Sequence, residues 1–278
     1  MVEEKKYTIG NKNIDICLLT DLHFDIIYDL SILDKILENV RMNKPDFICL
    51  SGDIIDNSNL IYEDLSKLKD FIKDLSIIGQ VIITLGNHDI SYKENHKSKE
   101  GNFDDVNNWF MELQKMENVY YLNNKSLIRG DICFTGYNSN FEYYKKENVE
   151  FFIKDIDEKI SMTRKYYNVL LCHSPINVFK NITLENSNQI KKADLILSGH
   201  MHNGMVLKMF DKGGTVGLIS PHKNIFPKCA RNRLVKKIDN HEINLIISGG
   251  IVKISRVNSK ILSKFNKIFP ISVVYVKI

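Results

Sequence analysis

The chain has 278 residues, and its 38 Lys and Arg against 34 Asp and Glu give a formal net charge of +4. Apolar residues make up 44% and charged residues 26%, which excludes a disordered chain, a collagen-like repeat and a small disulfide-stabilised protein. This length can bury a substantial core, and the sequence shows no linker or internal repeat, so we expect one domain over residues 1–278.

Apolar runs alternate with helix-period segments in the first part of the chain. Strands are predicted at residues 14–19, 47–50 and 81–85, and helices at 30–40, 65–75 and 103–116. The β-α-β-α-β order predicts a parallel sheet with crossover helices.

Shorter strand candidates follow in the remainder of the chain. They lie at residues 119–122, 126–128, 132–137, 168–172, 195–198, 243–248 and 271–276, with one further helix at 149–162. Because helical periodicity is weak here, we expect a second sheet that is more antiparallel than the first.

Cysteine usage and the chain start bear on the cellular compartment. The five cysteines, odd in number, form no Cys-x-x-Cys pair, which favours reduced thiols. No run approaches 18 apolar residues, and the first residues lack the apolar core of a signal peptide. We therefore expect a cytoplasmic protein, with membrane association as an open alternative.

Five polar motifs directly follow predicted strands. They are Asp21-Leu22-His23, Gly52-Asp53-Ile54-Ile55-Asp56, Gly86-Asn87-His88-Asp89, His173, and Gly199-His200-Met201-His202. One such motif alone is typical of an ordinary turn, but five are not. Because ligands bind at the carboxyl ends of strands in open α/β sheets, these side chains are expected to converge there. Carboxylates, imidazoles and an amide oxygen suit Mn, Fe or Zn.

In this order the motifs resemble those of the calcineurin-like metallophosphoesterase superfamily: Asp-x-His, Gly-Asp-x-x-Asp, Gly-Asn-His-Asp/Glu, His and Gly-His-x-His. The resemblance implies an α/β fold of two mixed β-sheets packed as a sandwich with flanking helices, in four layers α/β/β/α. Protein phosphatases of the superfamily carry Glu where this chain has Asp89, and Arg soon after the second motif. The chain instead resembles the bacterial YkuE/YaeI-like phosphodiesterase branch.

The resemblance also implies two divalent metal ions and a set of site residues. The metal ligands would be Asp21, His23 and His202 for the first ion, Asn87, His173 and His200 for the second, and Asp53 for both. A hydroxide bridging the two ions would attack phosphorus in line. His88 would stabilise developing charge or protonate the leaving oxygen, and Asp89 would orient His88. For Asp56, a supporting role and a helix-capping role stay open.

The expected function is therefore metal-dependent hydrolysis of a phosphoester substrate, most specifically a phosphodiester. A phosphomonoesterase or nuclease would use the same site, and a non-catalytic scaffold of the same fold is the alternative from another class. Nucleic acid is disfavoured as a partner, because the basic C-terminal region offers little beyond Phe265 on which bases could stack. The sequence contains no signal for an oligomeric state.

The small net charge conceals an asymmetry. Residues 1–204 hold 24 Lys and Arg against 31 Asp and Glu, whereas residues 205–278 hold 14 against 3. Apolar and basic residues repeat at helical spacing over 253–268, which predicts a basic amphipathic helix. Such a helix either packs its apolar stripe on the domain or contacts an anionic membrane.

Overall fold

The computed structural model describes residues 2–25, 29–95, 97–146, 149–175, 185–205, 214–217, 225–226, 230–252 and 270–278. Its strands are β1 Val2–Thr8, β2 Asp15–Leu19, β3 Phe47–Ser51, β4 Gln80–Thr84, β5 Ser91–Glu94, β6 Lys97–Glu100, β7 Val119–Tyr121, β8 Ser126–Arg129, β9 Ile132–Tyr137, β10 Tyr167–Cys172, β11 Leu195–Ser198, β12 Asn232–Ile238, β13 His241–Ile247 and β14 Ile271–Lys277. Its α-helices are α1 Ser31–Asn43, α2 Ser66–Ile78, α3 Phe103–Leu113, α4 Phe141–Lys146 and α5 Val149–Lys159.

Two six-stranded mixed sheets form the centre of the fold. Sheet one has the order β1-β14-β2-β3-β4-β7, and only β14 and β2 pair antiparallel among these strands. Sheet two has the order β12-β13-β11-β10-β9-β8, with antiparallel pairs at its two ends. Sheet two is the more antiparallel, as predicted, but its four central strands run parallel.

The buried apolar side chains show how the layers stack. Alternation along β2 sends Ile16 and Leu18 to one face, where they pack with Val169 and Leu197 of sheet two. Cys17 and Leu19 point to the opposite face, into a core shared with α1, α2 and α3. A third core lies between sheet two and helices α4 and α5, around Phe152. This confirms the predicted α/β/β/α sandwich.

Helix α1 illustrates how the sequence sets the strand ends. Four of its residues form one buried apolar stripe: Leu33, Ile36, Leu37 and Val40. The helix stops at Lys44, which adopts the left-handed conformation (φ 46°) directly before Pro45. Proline sterically disfavours the α-helical conformation of the residue before it, so the helix ends there and the chain enters β3.

The sequence did not predict the edge strands β1 and β12 or the hairpin formed by β5 and β6. β1 and β12 carry several charged residues, such as Glu4 and Lys236, because an edge strand of a sheet needs little apolar surface. β5 and β6 form an antiparallel hairpin between the predicted strand at 81–85 and the predicted helix at 103–116. The predicted basic helix at 253–268 lies wholly outside the described residues and stays a prediction.

No helix in the described ranges combines the length and the apolar composition needed to cross a membrane. Four of the cysteines are buried as free thiols: Cys17, Cys49, Cys133 and Cys172. This agrees with the reduced thiols that the sequence predicted, while Cys229 lies outside the described residues.

Candidate metal centre

The five motifs follow strands β2, β3, β4, β10 and β11, so both sheets contribute to one buried centre. Main-chain hydrogen bonds join neighbouring loops within each sheet. The N–H of Asp21 donates to the Gly52 carbonyl (3.1 Å), and the N–H of Gly199 donates to the His173 carbonyl (2.9 Å). The N–H of His200 donates across the sheets to the Asp21 carboxylate at 3.1 Å. The loops therefore hold one another in place.

The backbone of the centre is strained. A positive φ is uncommon for residues with a side chain and marks conformations that the surrounding structure must enforce. Five motif residues have one: Asp21 (54°), His23 (47°), Asp53 (53°), His200 (66°) and His202 (46°). Such strain is concentrated at functional sites in proteins, where side-chain position matters more than local stability.

A first cluster consists of Asp21, His23 and His202, each of which offers a ligand atom within 4.8 Å of the others. His202 Nδ1 lies 3.8 Å from Asp21 Oδ1, and the rings of His23 and His202 are 5.4 Å apart. Two imidazoles and a carboxylate at this spacing are suitable ligands for one divalent ion.

A second cluster consists of Asp53, His173 and His200, whose ligand atoms also lie within 4.8 Å of one another. His173 Nε2 lies 3.1 Å from Asp53 Oδ2, and the rings of His173 and His200 are 5.2 Å apart. The Oδ1 atom of Asn87 is buried and accepts no hydrogen bond from any described residue. An orphaned amide oxygen beside these loops fits a bound cation, since burial without a partner is costly.

The carboxylate of Asp53 lies between the two clusters. Its Oδ2 is 3.1 Å from His173 Nε2 and 3.8 Å from His23 Nε2, while its Oδ1 accepts the His88 N–H at 2.8 Å. A third grouping, of His23, Asp53 and His88, also meets the 4.8 Å limit and comes from sheet one alone. Asp53 is thus the residue common to two overlapping sets of ligands.

The electrostatics of the centre favour added positive charge. Burial alone lowers the pKa of His23, but the carboxylates of Asp56 and Asp53 outweigh it and raise that pKa to about 9. Asp53 has the same effect on His173, whose pKa is also raised to about 9. Burial alone would raise the pKa of Asp53, yet His173 and His88 hold it well below its usual range. Divalent ions would supply the positive charge that these buried acids require.

The side chain of His88 is 15% exposed and that of His202 is 11% exposed, while those of His23, Asp53 and His173 are at most 1% exposed. The Nδ1 atom of His88 lies 2.8 Å from the Asp56 carbonyl oxygen, and its ring meets the His23 ring edge-on at 4.5 Å. Burial of the ring lowers the pKa of His88. His88 is therefore fixed at the mouth of the centre, in reach of a ligand.

Asp89 is predicted to orient His88, and the structure shows contacts of its carboxylate with the main chain. The Asp89 carboxylate turns away into the protein and accepts three backbone hydrogen bonds, from Ile54 and Ile55 at 2.9 Å each and from Gly86 at 2.7 Å. Burial, followed by the charge of Asp53, raises the pKa of Asp89 to about 7. Asp89 therefore joins the loop after β3 to the loop after β4.

The sequence left open whether Asp56 supports the centre or caps the following helix, and the structure favours support. The Oδ1 atom of Asp56 lies 3.2 Å from His23 Nδ1 and 3.9 Å from His88 Nδ1, in addition to the carbonyl contact with His88. The following helical turn, Ser58–Tyr62, is capped by Asn57 instead. Asp56 thus orients two imidazoles of the centre.

Sequence reasoning missed Tyr144, which no motif contains. Its ring centroid lies 6.0 Å from that of His200 and 6.4 Å from that of His173. Burial, and then the nearby Cys172 and Asp53, raise the pKa of Tyr144 well above its ordinary value, so the phenol keeps its proton.

Gly52 explains why one motif requires glycine. Its φ of 84° favours glycine, and an added Cβ would lie 2.5 Å from His173 Nδ1 and 2.8 Å from the Gly86 nitrogen. The Nδ1 atom of His173 lies 2.8 Å from the carbonyl oxygen of Ser51. The end of β3 therefore packs directly against a histidine of sheet two.

Comparison with known proteins agrees with this centre. The putative metallophosphoesterase F40B5.2 of Caenorhabditis elegans is 28% identical over 204 residues, which cover 73% of this chain and 39% of that protein. An uncharacterized metallophosphoesterase of Helicobacter pylori (strain 26695) is 26% identical over 198 residues, covering 70% and 46%. The chain thus spans less than half the length of these curated relatives.

Solved structures with a similar arrangement include TT1561 of Thermus thermophilus, at 11% identity and a TM-score of 0.48, covering 86% of this chain and 90% of that one. A dimetal phosphatase from Danio rerio has 10% identity and a TM-score of 0.44, covering 87% and 89%. Residues 14–204 match the family described as Calcineurin-like phosphoesterase, a segment that contains all five motifs. Because this match covers more than half of the chain, the protein belongs to the calcineurin-like phosphoesterase family.

Proposed function

We propose that the protein is a phosphohydrolase that uses two divalent metal ions to cleave phosphoester bonds, with phosphodiesters as its preferred substrates. The observation that carries the proposal is the position of Asp53 Oδ2, which is 3.8 Å from His23 Nε2 and 3.1 Å from His173 Nε2. One carboxylate oxygen between an imidazole of each cluster is what a ligand shared by two ions requires. Family membership supports the same activity.

The ions would be Mn, Fe or Zn, because each of these accepts a mixture of carboxylate, imidazole and amide ligands. Their ligands would be Asp21, His23 and His202 for one ion, Asn87, His173 and His200 for the other, and Asp53 for both. When bound, such a pair of ions lowers the pKa of a water molecule and neutralises charge on the phosphoryl oxygens.

The protein's own contribution begins at His88. The Asp56 carbonyl can only accept a hydrogen bond, so the proton of His88 is held on Nδ1, and Nε2 is the nitrogen available to substrate. From there His88 can hydrogen-bond a phosphoryl oxygen or exchange a proton with the leaving oxygen. Asp56 also holds His23, so it fixes the catalytic imidazole relative to the ligand beside it.

The remaining residues exclude water and keep the ligands in place. Asp21 and Asp53 are almost completely buried, and so is His173. Interactions between charges are stronger in such an environment than in water. A prearranged set of buried donors and acceptors reduces the reorganisation that charge development would otherwise require.

The test is hydrolysis by the protein stripped with a chelator and reloaded with Mn²⁺, measured on an aryl phosphodiester and an aryl phosphomonoester. We expect activity that depends on added metal, faster cleavage of the diester, and loss of activity in His200→Ala. The matched control is His241→Ala, since His241 contacts the Ala193 carbonyl outside the centre.

Two results would change the proposal. Faster cleavage of the monoester would replace the phosphodiesterase assignment by a phosphomonoesterase. Absence of both metal binding and hydrolysis on all substrates would overturn the proposal and favour the non-catalytic scaffold.

A single domain over residues 1–278 and a peripheral contact of residues 253–268 with anionic membrane are proposed on the sequence alone. Co-sedimentation with anionic vesicles at low salt tests the contact, and absence of binding would contradict it.

A further inference from the structure

Tyr144 lies beside the second cluster, on helix α4. Its ring inclines by 46° to that of His200 and by 62° to that of His173, at centroid distances of 6.0 and 6.4 Å. The same ring packs against the apolar core under sheet one and the core under sheet two. Its position is thus defined from two sides, as a residue that contacts a substrate requires.

The neighbouring Tyr143 shows that this placement is specific. Tyr143 is 1% exposed and stacks on Phe152 at 5.0 Å in the core between sheet two and its helices. Tyr144 is only partly buried. Consecutive residues of a helix point about 100° apart, so one tyrosine faces the core and the other faces the histidines.

The hydroxyl of Tyr144 is available to a ligand. Tyr144 is partly exposed, its ring lies beside those of Tyr143, His173 and His200, and its hydroxyl makes no hydrogen bond to any of the described residues. A phenol is a neutral donor, so it can approach a phosphoryl oxygen without adding positive charge near the metal ligands.

His88 and Tyr144 lie beside different clusters. The His88 ring is 4.5 Å from that of His23 in the first cluster, and the Tyr144 ring is 6.0 Å from that of His200 in the second. A phosphoryl group bound between the clusters presents at least two oxygens that are not esterified. One donor beside each cluster matches that requirement.

We propose that Tyr144 contacts the substrate of the phosphohydrolase described above, on which this inference rests. Its hydroxyl donates a hydrogen bond to a phosphoryl oxygen on the side of His173 and His200. The interaction is present in bound phosphate as well as in the ester, so it contributes to binding before the reaction and to the affinity of the product.

The test uses the full chain loaded with Mn²⁺ and the variant Tyr144→Phe, which keeps the ring and removes only the hydroxyl. We expect unchanged metal content, and an increase of about tenfold in the dissociation constant for inorganic phosphate by isothermal titration calorimetry. The same loss should appear in kcat/KM. Tyr143→Phe removes the same atom from the adjacent residue and should leave the affinity for phosphate unchanged.

A second measurement reports on the tyrosine ring itself. Phosphate added to the metal-loaded wild type should perturb the tyrosine band of the ultraviolet difference spectrum, and Tyr144→Phe should abolish that change.

Each contrary result has a distinct meaning. Unchanged phosphate affinity in Tyr144→Phe would overturn the contact, and loss of metal in that variant would show that Tyr144 supports the histidines and not the substrate. A wild-type protein that neither binds metal nor hydrolyses phosphoesters would overturn the proposed function, and this inference with it.

Discussion

The two sheets contribute different chemistry to the centre. Sheet one brings both carboxylates of the two clusters and the imidazole of His23, whereas sheet two brings only imidazoles to them, such as those of His173 and His200. The first and second clusters each combine residues of both sheets. The centre is therefore a product of sheet packing, and neither sheet assembles these two clusters alone.

The sheets also differ in how they hold their residues. In sheet one the loops after β3 and β4 are joined by the Asp89 carboxylate, which accepts three backbone N–H groups. In sheet two His173 is held by an atom of the other sheet, the Ser51 carbonyl oxygen. Sheet one thus has a buried carboxylate that links two of its own loops, and sheet two has a histidine whose ring is held by the main chain of sheet one.

The largest effect is expected for Asp53→Asn, which weakens the carboxylate that we propose binds both ions. We expect loss of bound metal and a fall in hydrolysis of about a thousandfold, since metal ions supply several kcal/mol of transition-state stabilisation. Elemental analysis and steady-state kinetics measure the two effects. Asp131→Asn, at an exposed position paired with Lys12, is the control. Retained metal in Asp53→Asn would contradict the shared-ligand role.

A smaller effect is expected for Gly52→Ala, which disturbs the packing of the two sheets. The new methyl group would displace His173, so we expect hydrolysis to fall by about 10–100-fold, as when a metal ligand loses its orientation. Gly130 also has a positive φ, but an added Cβ there would have no atom within 4 Å. Gly130→Ala therefore measures the effect of backbone strain without a steric clash. Equal activities in the two variants would exclude contact with His173 as the cause.

Asp89→Asn tests the organisation within sheet one. The amide retains only one acceptor atom, so we expect the free energy of unfolding to fall by about 1–3 kcal/mol in urea. Asp64→Asn is the control, because Asp64 is exposed and its hydrogen bonds come from Ser66, whose N–H an asparagine side chain can also accept. Lost activity at unchanged stability in Asp89→Asn would support the predicted role of orienting His88.

The smallest effect is expected for Ser51→Ala. The Ser51 hydroxyl donates to the Leu197 carbonyl of sheet two at 3.1 Å, and losing one such bond costs about 1 kcal/mol of unfolding free energy. Ser76→Ala removes a bond within helix α2, to Lys73, and serves as the control for the same chemical change. A larger loss of stability in the control would show that the bond between the sheets contributes little.

The motifs and layers could be predicted because their signals are local. Asp21 and His23 directly follow a strand, and the β-α-β-α-β order brings such residues to one edge. Grouping these residues into two sets of metal ligands needed the resemblance to a family, because the ligands of one cluster come from distant parts of the chain.

The directions in which the other side chains of the centre point are set by tertiary packing and are not encoded in the local sequence. Asp56 and Asp89 are both acids that follow strands, but only the packed loops decide that Asp56 turns to His88 and Asp89 to the backbone. The sequence did not predict the short helix α4, which carries Tyr143 and Tyr144. Without the direction of that helix, the sequence does not show which of the two rings faces the histidines.

The most direct test of a centre built by both sheets is a crystal structure of the protein loaded with Mn²⁺, with the ions located by anomalous scattering. Two ions are expected, with Asp53 contacting both, one beside Asp21 and His202 and the other beside His173 and His200. A single ion held by His23, Asp53 and His88, the grouping from sheet one alone, would contradict the account.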